Sequence, residues 1–486
     1  MDWGMLITAA VVAADWILRI GLSARVVMVR RSTQASIAWL AIIFFAPFIG
    51  AFVYLLIGEN RLGRRRAAQY ARLTQGMDEQ AVALWKRGVD WTAGGKRFDH
   101  VARLCTAESH VPALGGNTLT IMSSSEQVIR SICADIDAAQ RHCHVLTYIW
   151  QVGGLPDEVV KALMRAAARG VMCRVLVDAH GAKDFLRSDR DNRMRKAGVE
   201  VMAALPVGAL RMLFSRMDLR NHRKIVEIDG GVAYVGSQNM TDRSFRVARN
   251  PRVGPWIDAT VRVEGPGAQA LGLVFLKDWL LDAGSGADVE AHLPDLGEIS
   301  GESGAAVQVL ATGPGTTTPG MMPRAILELI YAAREELILT TPYFVPGDAM
   351  LIALESAAQR GVEVSVIVPR KLDTPLVHRA SNANLEQLLE TGVRIYRHGR
   401  GLLHAKTITV DRELGMVGSA NLDMRSFWLN FEVAMMIYDT DTASQLRMLQ
   451  REYMEESEQV FADEWRQRGF GTRLVENGAR LLSPLL

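Results

Sequence analysis

The feature that most constrains this chain is a polar motif that it contains twice. The first copy is His222, Lys224, Asp229, Ser237 and Asn239. A shift of 182 positions, the separation of the two motif histidines, places each of these on an identical residue of the second copy: His404, Lys406, Asp411, Ser419 and Asn421. Identical residues at identical offsets indicate an internal duplication, so the fold must contain two similar units.

Each motif is predicted to lie on a β-strand. Residues 224–228 and 406–410 are rich in β-branched side chains and end at a turn, to which Asp229 and Asp411 are suited. Residues two apart on a strand point to one face, so the histidine and lysine of each copy lie side by side. Lysine supplies fixed positive charge to phosphate oxygens, and histidine supplies a nucleophile or a proton donor. This pattern predicts phosphate chemistry.

The same residues carry a resemblance to a known family. His-x-Lys-x-x-x-x-Asp followed by Gly-Ser-x-Asn, twice, resembles the phospholipase D superfamily, and within it the bacterial membrane-anchored cardiolipin synthases, through segments 216–224, 421–426 and 428–432. The resemblance covers nearly the whole chain. It implies an α/β fold of two tandem phospholipase D-like βαβ-sandwich halves that form one bilobal catalytic unit, preceded by an N-terminal transmembrane helical anchor.

The order of apolar, basic and alternating segments predicts five regions. Strand-like and helix-like patterns alternate in both halves, as βαβ units require. The predicted regions are a membrane anchor (1–60), a basic helical connector (61–112), half 1 (113–283), a polar linker (284–305) and half 2 with a helical tail (306–486).

The anchor contains two hydrophobic segments. Segment 36–57 contains no charged residue and is long enough to span a bilayer. Pro47 and Gly50 would kink a helix there, so a re-entrant arrangement is also possible. Segment 4–29 is interrupted by charged residues and is either a first span, which we favour, or an interfacial helix. Arginines flank 36–57 on both sides, so the positive-inside rule does not decide the topology. The resemblance and the unpaired cysteines favour a multi-pass protein of the bacterial inner membrane with a cytoplasmic catalytic domain.

The amino-acid composition limits the kinds of molecule that this protein is expected to bind. Lys and Arg total 55 against 53 Asp and Glu, a net charge of +2, which argues against a nucleic-acid partner. The four cysteines show no metal-ligand spacing. Nothing in the pattern requires a metal or another cofactor. The oligomeric state is left open, with a homodimer as one option.

The resemblance implies a reaction and a role for each motif residue. His222 would attack a phosphatidyl group of phosphatidylglycerol, His404 would act as acid and base, and a second phosphatidylglycerol would accept the group to give cardiolipin and glycerol. Asp229 and Asp411 belong to the catalytic motif. Phosphoryl oxygens would be held by Lys224, Lys406, Ser237, Asn239, Ser419 and Asn421.

Two carboxylates are expected to orient the histidines. Glu432 follows His404 and Asp258 follows His222, so we expect each carboxylate to contact the histidine of its own half.

Three alternative functions are compatible with parts of the same sequence. A phospholipase D would admit water as acceptor, and a nuclease or other phosphodiesterase would not need the anchor. A scaffold with decayed sites is disfavoured because both motifs are intact.

Half 1 also contains about a dozen residues more than half 2 before its motif. They fall in 205–217, which is apolar with interspersed arginines. The segment is either an interfacial loop beside the catalytic strand or an internally packed excursion. We also expect the apolar C-terminal stretch 481–486 to rest on the membrane.

Overall fold

The computed structural model describes most of the chain. The described ranges are 3–29, 33–59, 96–206, 218–245, 253–283, 304–314 and 320–481, with isolated positions at 66, 68, 70, 77, 86, 88, 89, 216 and 247. Most of the predicted connector, almost all of the predicted linker, the centre of loop 205–217 and residues 482–486 lie outside them.

The N-terminal region consists of three apolar helices, α1 (Trp3–Met28), α2 (Thr33–Phe45) and α3 (Pro47–Ile57). Segment 36–57 is therefore broken, because Pro47 starts a new helix and cannot continue the previous one. The two short helices approach closely at Gly50, where a Cβ would lie 2.8 Å from the carbonyl oxygen of Ile42. The membrane arrangement of segment 36–57, as a span or as a re-entrant pair of helices, stays a prediction. Among the described helices, α1 is the one long and apolar enough to cross a membrane.

The charged residues that interrupt α1 are paired. Arg19 bonds to Asp15 at 2.8 Å and to the carbonyl oxygen of Phe44 at 2.5 Å. Arg25 contacts both carboxylate oxygens of Glu59. These bonds tie α1 to the α2–α3 pair, so the polar breaks in α1 hold the N-terminal helices together.

Half 1 follows helix α4 (Asp99–Ser109). Its elements are β1 (Leu114–Met122), α5 (Ser125–Ala138), β2 (His142–Thr147), α6 (Pro156–Ala168), β3 (Met172–Asp178), α7 (Lys183–Leu186), α8 (Asp189–Lys196), β4 (Glu200–Ala204), β5 (Ile225–Ile228), β6 (Val232–Gly236), β7 (Trp256–Ile257), β8 (Thr260–Glu264) and α9 (Pro266–Ala283).

Half 2 repeats the main βαβ order of half 1, with short strands and a short helix added within it and a strand and two helices added at its end. Its elements are β9 (Ala305–Thr312), α10 (Met321–Ala332), β10 (Glu336–Thr340), β11 (Phe344–Val345), α11 (Asp348–Gln359), β12 (Glu363–Pro369), α12 (Pro375–Glu390), β13 (Arg394–His398), β14 (Leu402–Leu403), β15 (Thr407–Val410), β16 (Leu414–Gly418), β17 (Leu422–Asp423), α13 (Met424–Trp428), β18 (Glu432–Ile437), α14 (Thr440–Glu455), β19 (Ser457–Val460), α15 (Ala462–Arg466) and α16 (Phe470–Leu481).

The two halves share one mixed sheet of fifteen described strands. From the outside inwards, half 1 contributes β4, β3, β2, β5, β6, β8 and β1. Half 2 contributes β13, β12, β10, β15, β16, β18 and β9 in the matching order, with β19 added at its outer edge. The antiparallel pairing of β1 with β9 joins them. The predicted α/β fold with two tandem halves is confirmed.

Helices cover both faces of this sheet. On one face, α5 and α6 pack on half 1, and α10 and α11 pack on half 2. On the other face, α9 is buried along most of its length and shares a core with Leu446 of α14. Because α9 and α14 both lie at the junction, the two halves are packed against each other beside the strands that carry the motifs.

Candidate active site

Each motif histidine is fixed by the backbone of the opposite half. The N–H of His222 donates to the carbonyl oxygen of Phe431 at 2.9 Å, and that of His404 donates to Ile257 at 2.7 Å. Next to His404, β14 pairs in parallel with β7. The segments that follow β6 and β16 therefore cross the junction, and they bring the two motifs to one place between the halves.

The carboxylates cross in the same way. Nδ1 of His222 lies 3.0 Å from Oε2 of Glu432, and Nδ1 of His404 lies 2.6 Å from Oδ1 of Asp258. The expected pairing of each carboxylate with the histidine of its own half was wrong. The physical reason is the backbone crossing, because Asp258 and Glu432 each follow the residue that accepts the bond from the other half's histidine.

Both motif serines hold these carboxylates. Ser237 Oγ donates to Asp258 at 2.7 Å, and Ser419 Oγ donates to Glu432 at 2.5 Å. A hydroxyl has one proton to donate, and here that proton is engaged. The serine oxygens also accept from the N–H groups of Ala259 and Val433 at 3.0 Å. The bonds of the two serines thus differ from the expected phosphate-binding role.

The motif asparagines are both buried, but they differ in their bonds. Oδ1 of Asn239 accepts from the backbone N–H of Ile149 at 3.1 Å. This bond leaves its amide N–H₂ group as the donor that a ligand could use. Oδ1 of Asn421 accepts no hydrogen bond from any described residue.

The two lysines lie next to their histidines. Nζ of Lys224 donates to the carbonyl oxygen of His222 at 2.5 Å, and Nζ of Lys406 donates to that of His404 at 2.6 Å. Burial lowers the pKa of Lys224 well below its ordinary value and lowers that of Lys406 to about 7. A bound anion would restore the positive charge that burial disfavours.

Both motif imidazoles are neutral at neutral pH. Burial is the main cause that lowers the pKa of His222 and of His404 to about 4. Lys406 of half 2 lowers the pKa of His222, and Lys224 of half 1 lowers that of His404, so the two motifs form one electrostatic site. With Nδ1–H donated to a carboxylate, each Nε2 presents a lone pair.

The carboxylates remain ionised although they are buried. Burial by itself raises the pKa of Asp258 and Glu432, but the paired histidines and the lysines outweigh it, so both pKa values lie below the ordinary range. Glu432 is surrounded by donors, since Ser426 Oγ at 2.9 Å and Asn430 Nδ2 at 3.1 Å add to His222 and Ser419. Oδ2 of Asp258 has no partner among the described residues.

Two aromatic rings form walls of the site that sequence reasoning missed. Tyr148 contacts His222 edge-on, with ring centroids 5.1 Å apart, and its ring lies 5.5 Å from Nζ of Lys224. Trp256 lies against His404 at 4.6 Å. Trp256 stands two residues before Asp258, so a search around that carboxylate could have found it. Tyr148 has no such signal.

Arg223 is another supporting residue that comparison of the two motif copies did not reveal. Its side chain is fully buried, pairs with Asp278, and donates to the carbonyl oxygens of Glu432 at 3.1 Å and Thr312 at 2.9 Å. The equivalent residue of half 2 is Ala405. Comparing the two copies of the motif reveals only residues that both halves share. Arg223, which links the halves but occurs in half 1 alone, was therefore not identified.

The motif aspartates lie away from the histidines. Asp229 accepts bonds at 2.8 Å from three successive backbone N–H groups, of residues 140, 141 and 142. Asp411 does the same for residues 334, 335 and 336. Each lies at the far end of its strand, about 16 Å along the chain from the lysine, at 3.3 Å per residue. The structure therefore does not bring the two aspartates to the site, and the expectation that they are catalytic is corrected to a structural role in the turn.

One group among the described residues has the side chains and spacing of a metal site. His142 and His144 contact the two carboxylate oxygens of Glu227 at 2.9 and 2.7 Å, and all three are buried on β2 and β5. The atoms that could bind a metal ion are instead hydrogen-bonded to one another. Glu227 lies three residues after Lys224 along the strand, so the group is separate from the paired histidines.

Comparisons with known proteins agree with this geometry. The family model described as "Cardiolipin synthase, PLD-like domain" matches residues 132–252 and 326–453, and the model "Phospholipase_D-nuclease N-terminal" matches 17–59. Proteins named cardiolipin synthase A from Yersinia pseudotuberculosis serotype O:1b (strain IP 31758) and Yersinia pestis bv. Antiqua (strain Angola) are 41% identical over 97% of this chain and 97% of their own length.

The fold also has a counterpart among solved structures. The crystal structure of a phosphatidylserine synthase from Haemophilus influenzae Rd KW20 superposes with a TM-score of 0.58. It covers 80% of this chain and all of that one, at 16% sequence identity. At that identity the likeness shows a shared fold.

Proposed function

Because this chain belongs to the cardiolipin synthase family with phospholipase D-like domains, and is thus a membrane-associated phosphatidyltransferase, we propose that it converts two phosphatidylglycerol molecules into cardiolipin and glycerol. The observation that carries the proposal is the pair of neutral, carboxylate-bound histidines that face one site with two buried lysines. Such a site supplies a nucleophile, a proton carrier and positive charge together.

In the first step, Nε2 of His222 attacks the phosphorus of a phosphatidylglycerol. The new P–N bond replaces the P–O bond to glycerol, and His404 gives its Nε2 proton to the leaving oxygen. The negative charge of the bound phosphodiester raises the pKa of His404, so His404 takes up this proton as the substrate enters. Lys224, Lys406 and the amide of Asn239 hold the non-bridging oxygens.

In the second step, a hydroxyl of another phosphatidylglycerol attacks the phosphohistidine. Its proton passes to Nε2 of His404, the P–N bond breaks, and the new P–O bond completes cardiolipin. Water at about 55 M competes for the same intermediate, so the site must orient the lipid hydroxyl, and well-oriented groups reach effective molarities of about 10⁵ M or more.

The hydrogen bonds of the carboxylates support these separate roles. One oxygen of Asp258 has no partner among the residues that the structure describes, so more of its negative charge is available to stabilise an imidazolium. Glu432 shares its charge among several donors. A residue that gains and loses a proton in every turnover benefits most from the less-satisfied carboxylate, which favours His404 as the acid and base.

Trapping the intermediate tests the roles. A phosphodiester with a p-nitrophenyl leaving group needs no proton on departure, so His404→Asn should still form the adduct but release it slowly. Mass spectrometry should then find the phosphoryl group on the peptide that contains His222. An adduct on the His404 peptide of the wild-type enzyme would reverse the two roles.

Product analysis tests the reaction. The full-length enzyme in phosphatidylglycerol bilayers should yield cardiolipin and free glycerol in equal amounts, and added glycerol should regenerate phosphatidylglycerol from cardiolipin. If phosphatidic acid is the main product and no cardiolipin forms, the enzyme is a phospholipase D-type hydrolase.

A cytoplasmic catalytic unit on the bacterial inner membrane completes the proposal. Cys143 and Cys173 are neighbours on adjacent strands and both are free thiols, which suits a reducing compartment. A membrane-impermeant thiol reagent should label a Lys161→Cys variant only after the inner membrane is opened. Labelling of intact spheroplasts would place the catalytic unit on the outside.

A further inference from the structure

Helix α16 (Phe470–Leu481) is packed by its polar side. Its buried residues are Glu476 and Ala479. The carboxylate of Glu476 accepts from Asn382 Nδ2 at 3.1 Å and bonds to Arg468. Helices on soluble proteins normally turn their apolar side inwards, so this one is inverted.

Three of the four large apolar residues of α16 lie on the opposite side, and the fourth, Val475, lies next to the buried side. Phe470, Leu474 and Leu481 fall within an arc of about 40° at 3.6 residues per turn, facing away from Glu476 and Ala479. They are 81%, 59% and 76% exposed. We call these three residues the outer arc. An aligned set of large exposed apolar side chains indicates a surface that is covered in the working protein.

The lipid bilayer is the occupant that fits the outer arc. The chain is already held at a membrane by its apolar N-terminal helix, so docking costs little additional entropy. Arg480 is exposed beside the arc, where it can reach an anionic lipid phosphate, and Arg473 on the same side is paired with Glu386. The sequence that follows α16 adds Leu482, Leu485 and Leu486.

The position of α16 links it to the catalytic site. Ala479 packs with Ala380 in α12 and Val345, so the C-terminal end of α16 lies near the start of α12. Just before α12, Leu372 packs against the cluster that contains Trp256. Trp256 in turn contacts His404.

We propose that α16 docks on the bilayer through Phe470, Leu474 and Leu481, and so holds the His404 side of the site against the lipid surface. This surface is independent of the catalytic roles assigned above, since it rests on the exposure and packing of α16 alone. It gives the enzyme a second membrane contact, at the opposite end of the chain from α1.

An environment-sensitive fluorophore tests the contact without turnover. Leu474→Cys is labelled in full-length protein that carries Cys133→Ser, because Cys133 is the one cysteine of the four that is not buried. Met448 on α14 is also 59% exposed but lies on the other face of half 2, so Met448→Cys is the matched control. In phosphatidylglycerol vesicles, the label at 474 should shift its emission to the blue and be quenched by lipid-borne nitroxides. The label at 448 should do neither.

Two results would overturn the proposal. One is a label at 474 that stays in water in the presence of bilayers. The other is protection from water without quenching by the lipid, together with energy transfer between labelled copies, which would assign the outer arc to an interface between two chains.

Activity gives the second test. Phe470→Glu combined with Leu474→Glu should reduce turnover of vesicle phosphatidylglycerol about tenfold, because two apolar side chains leave the interface. Turnover of a short-chain substrate in solution should be unchanged, and Met448→Glu should change neither. Equal losses on both substrates, or no loss on vesicles, would contradict membrane docking.

Discussion

The two histidine sites differ in how completely they are supported. In one, Glu432 receives bonds from His222, Ser419, Ser426 and Asn430. In the other, Asp258 receives bonds from His404 and Ser237, and its second oxygen has no partner in the described part of the chain. The two sites of the duplication are therefore asymmetric, which agrees with the proposed division of roles between a nucleophile and a proton carrier.

The carboxylates should show this asymmetry most strongly. Asp258→Asn should lower kcat about 10⁴-fold, because a neutral amide stabilises neither the imidazolium nor the required tautomer of His404. Glu432→Gln should cost less, about 10²-fold, since His222 needs orientation more than charge. Steady-state cardiolipin formation measures both. Equal losses would mean that the two carboxylates do the same work.

The pH dependence of kcat/KM tests the role of Lys406. The pKa of Lys406 is about 7, so kcat/KM should fall as pH rises through 7, because the neutral amine no longer attracts the phosphodiester. Lys406→Arg should remove that alkaline fall, since arginine stays charged, although geometry lowers the maximum about tenfold. An alkaline limb that persists in Lys406→Arg would assign it to another group.

The duplicated serines give a matched pair with a smaller effect. Ser426 donates to Glu432, whereas its repeat equivalent, Ser244, donates to Asp242 and not to a histidine-bound carboxylate. Ser426→Ala should lower kcat about fivefold, less than the full worth of a hydrogen bond to a charged group, because Glu432 keeps its bonds from His222, Ser419 and Asn430. Ser244→Ala should leave kcat unchanged. A loss in both variants would show that Ser244 also supports the site.

The motif aspartates should affect activity least. Asp229→Ala and Asp411→Ala each remove an acceptor of three backbone bonds, which should cost about 3 kcal/mol of the free energy of unfolding. Thermal inactivation should occur at a lower temperature, with kcat nearly unchanged at low temperature. A folded variant without activity would return the aspartates to a catalytic role.

Much of the fold could be predicted from the sequence. The repeated βαβ alternation and the strands that follow His222 and His404 could be predicted from local patterns, and the structure confirms the α/β fold with two halves. The crossing of Asp258 and Glu432 could not be predicted, because a repeat shows which residues are equivalent but not which half each one contacts. The break at Pro47 was one of two readings that local sequence allowed.

Other features depend on differences between the halves. Arg223 stands where half 2 has Ala405, so comparing the repeats gave it no weight, although it links the halves from a fully buried position. The inverted packing of α16 depends on the partners of Glu476, which come from distant parts of the chain. The membrane role of loop 205–217 and of residues 482–486 stays a prediction, since most of that loop and residues 482–486 lie outside the described residues.

The exchange of carboxylates across the junction also sets when the enzyme can begin to work. During synthesis, His222 leaves the ribosome about two hundred residues before Glu432, and until then it lacks the group that fixes its tautomer. A growing chain already inserted through α1 would therefore sit among its substrate lipids without attacking them. Activity would start only when nearly the whole chain has emerged and both halves have closed on each other.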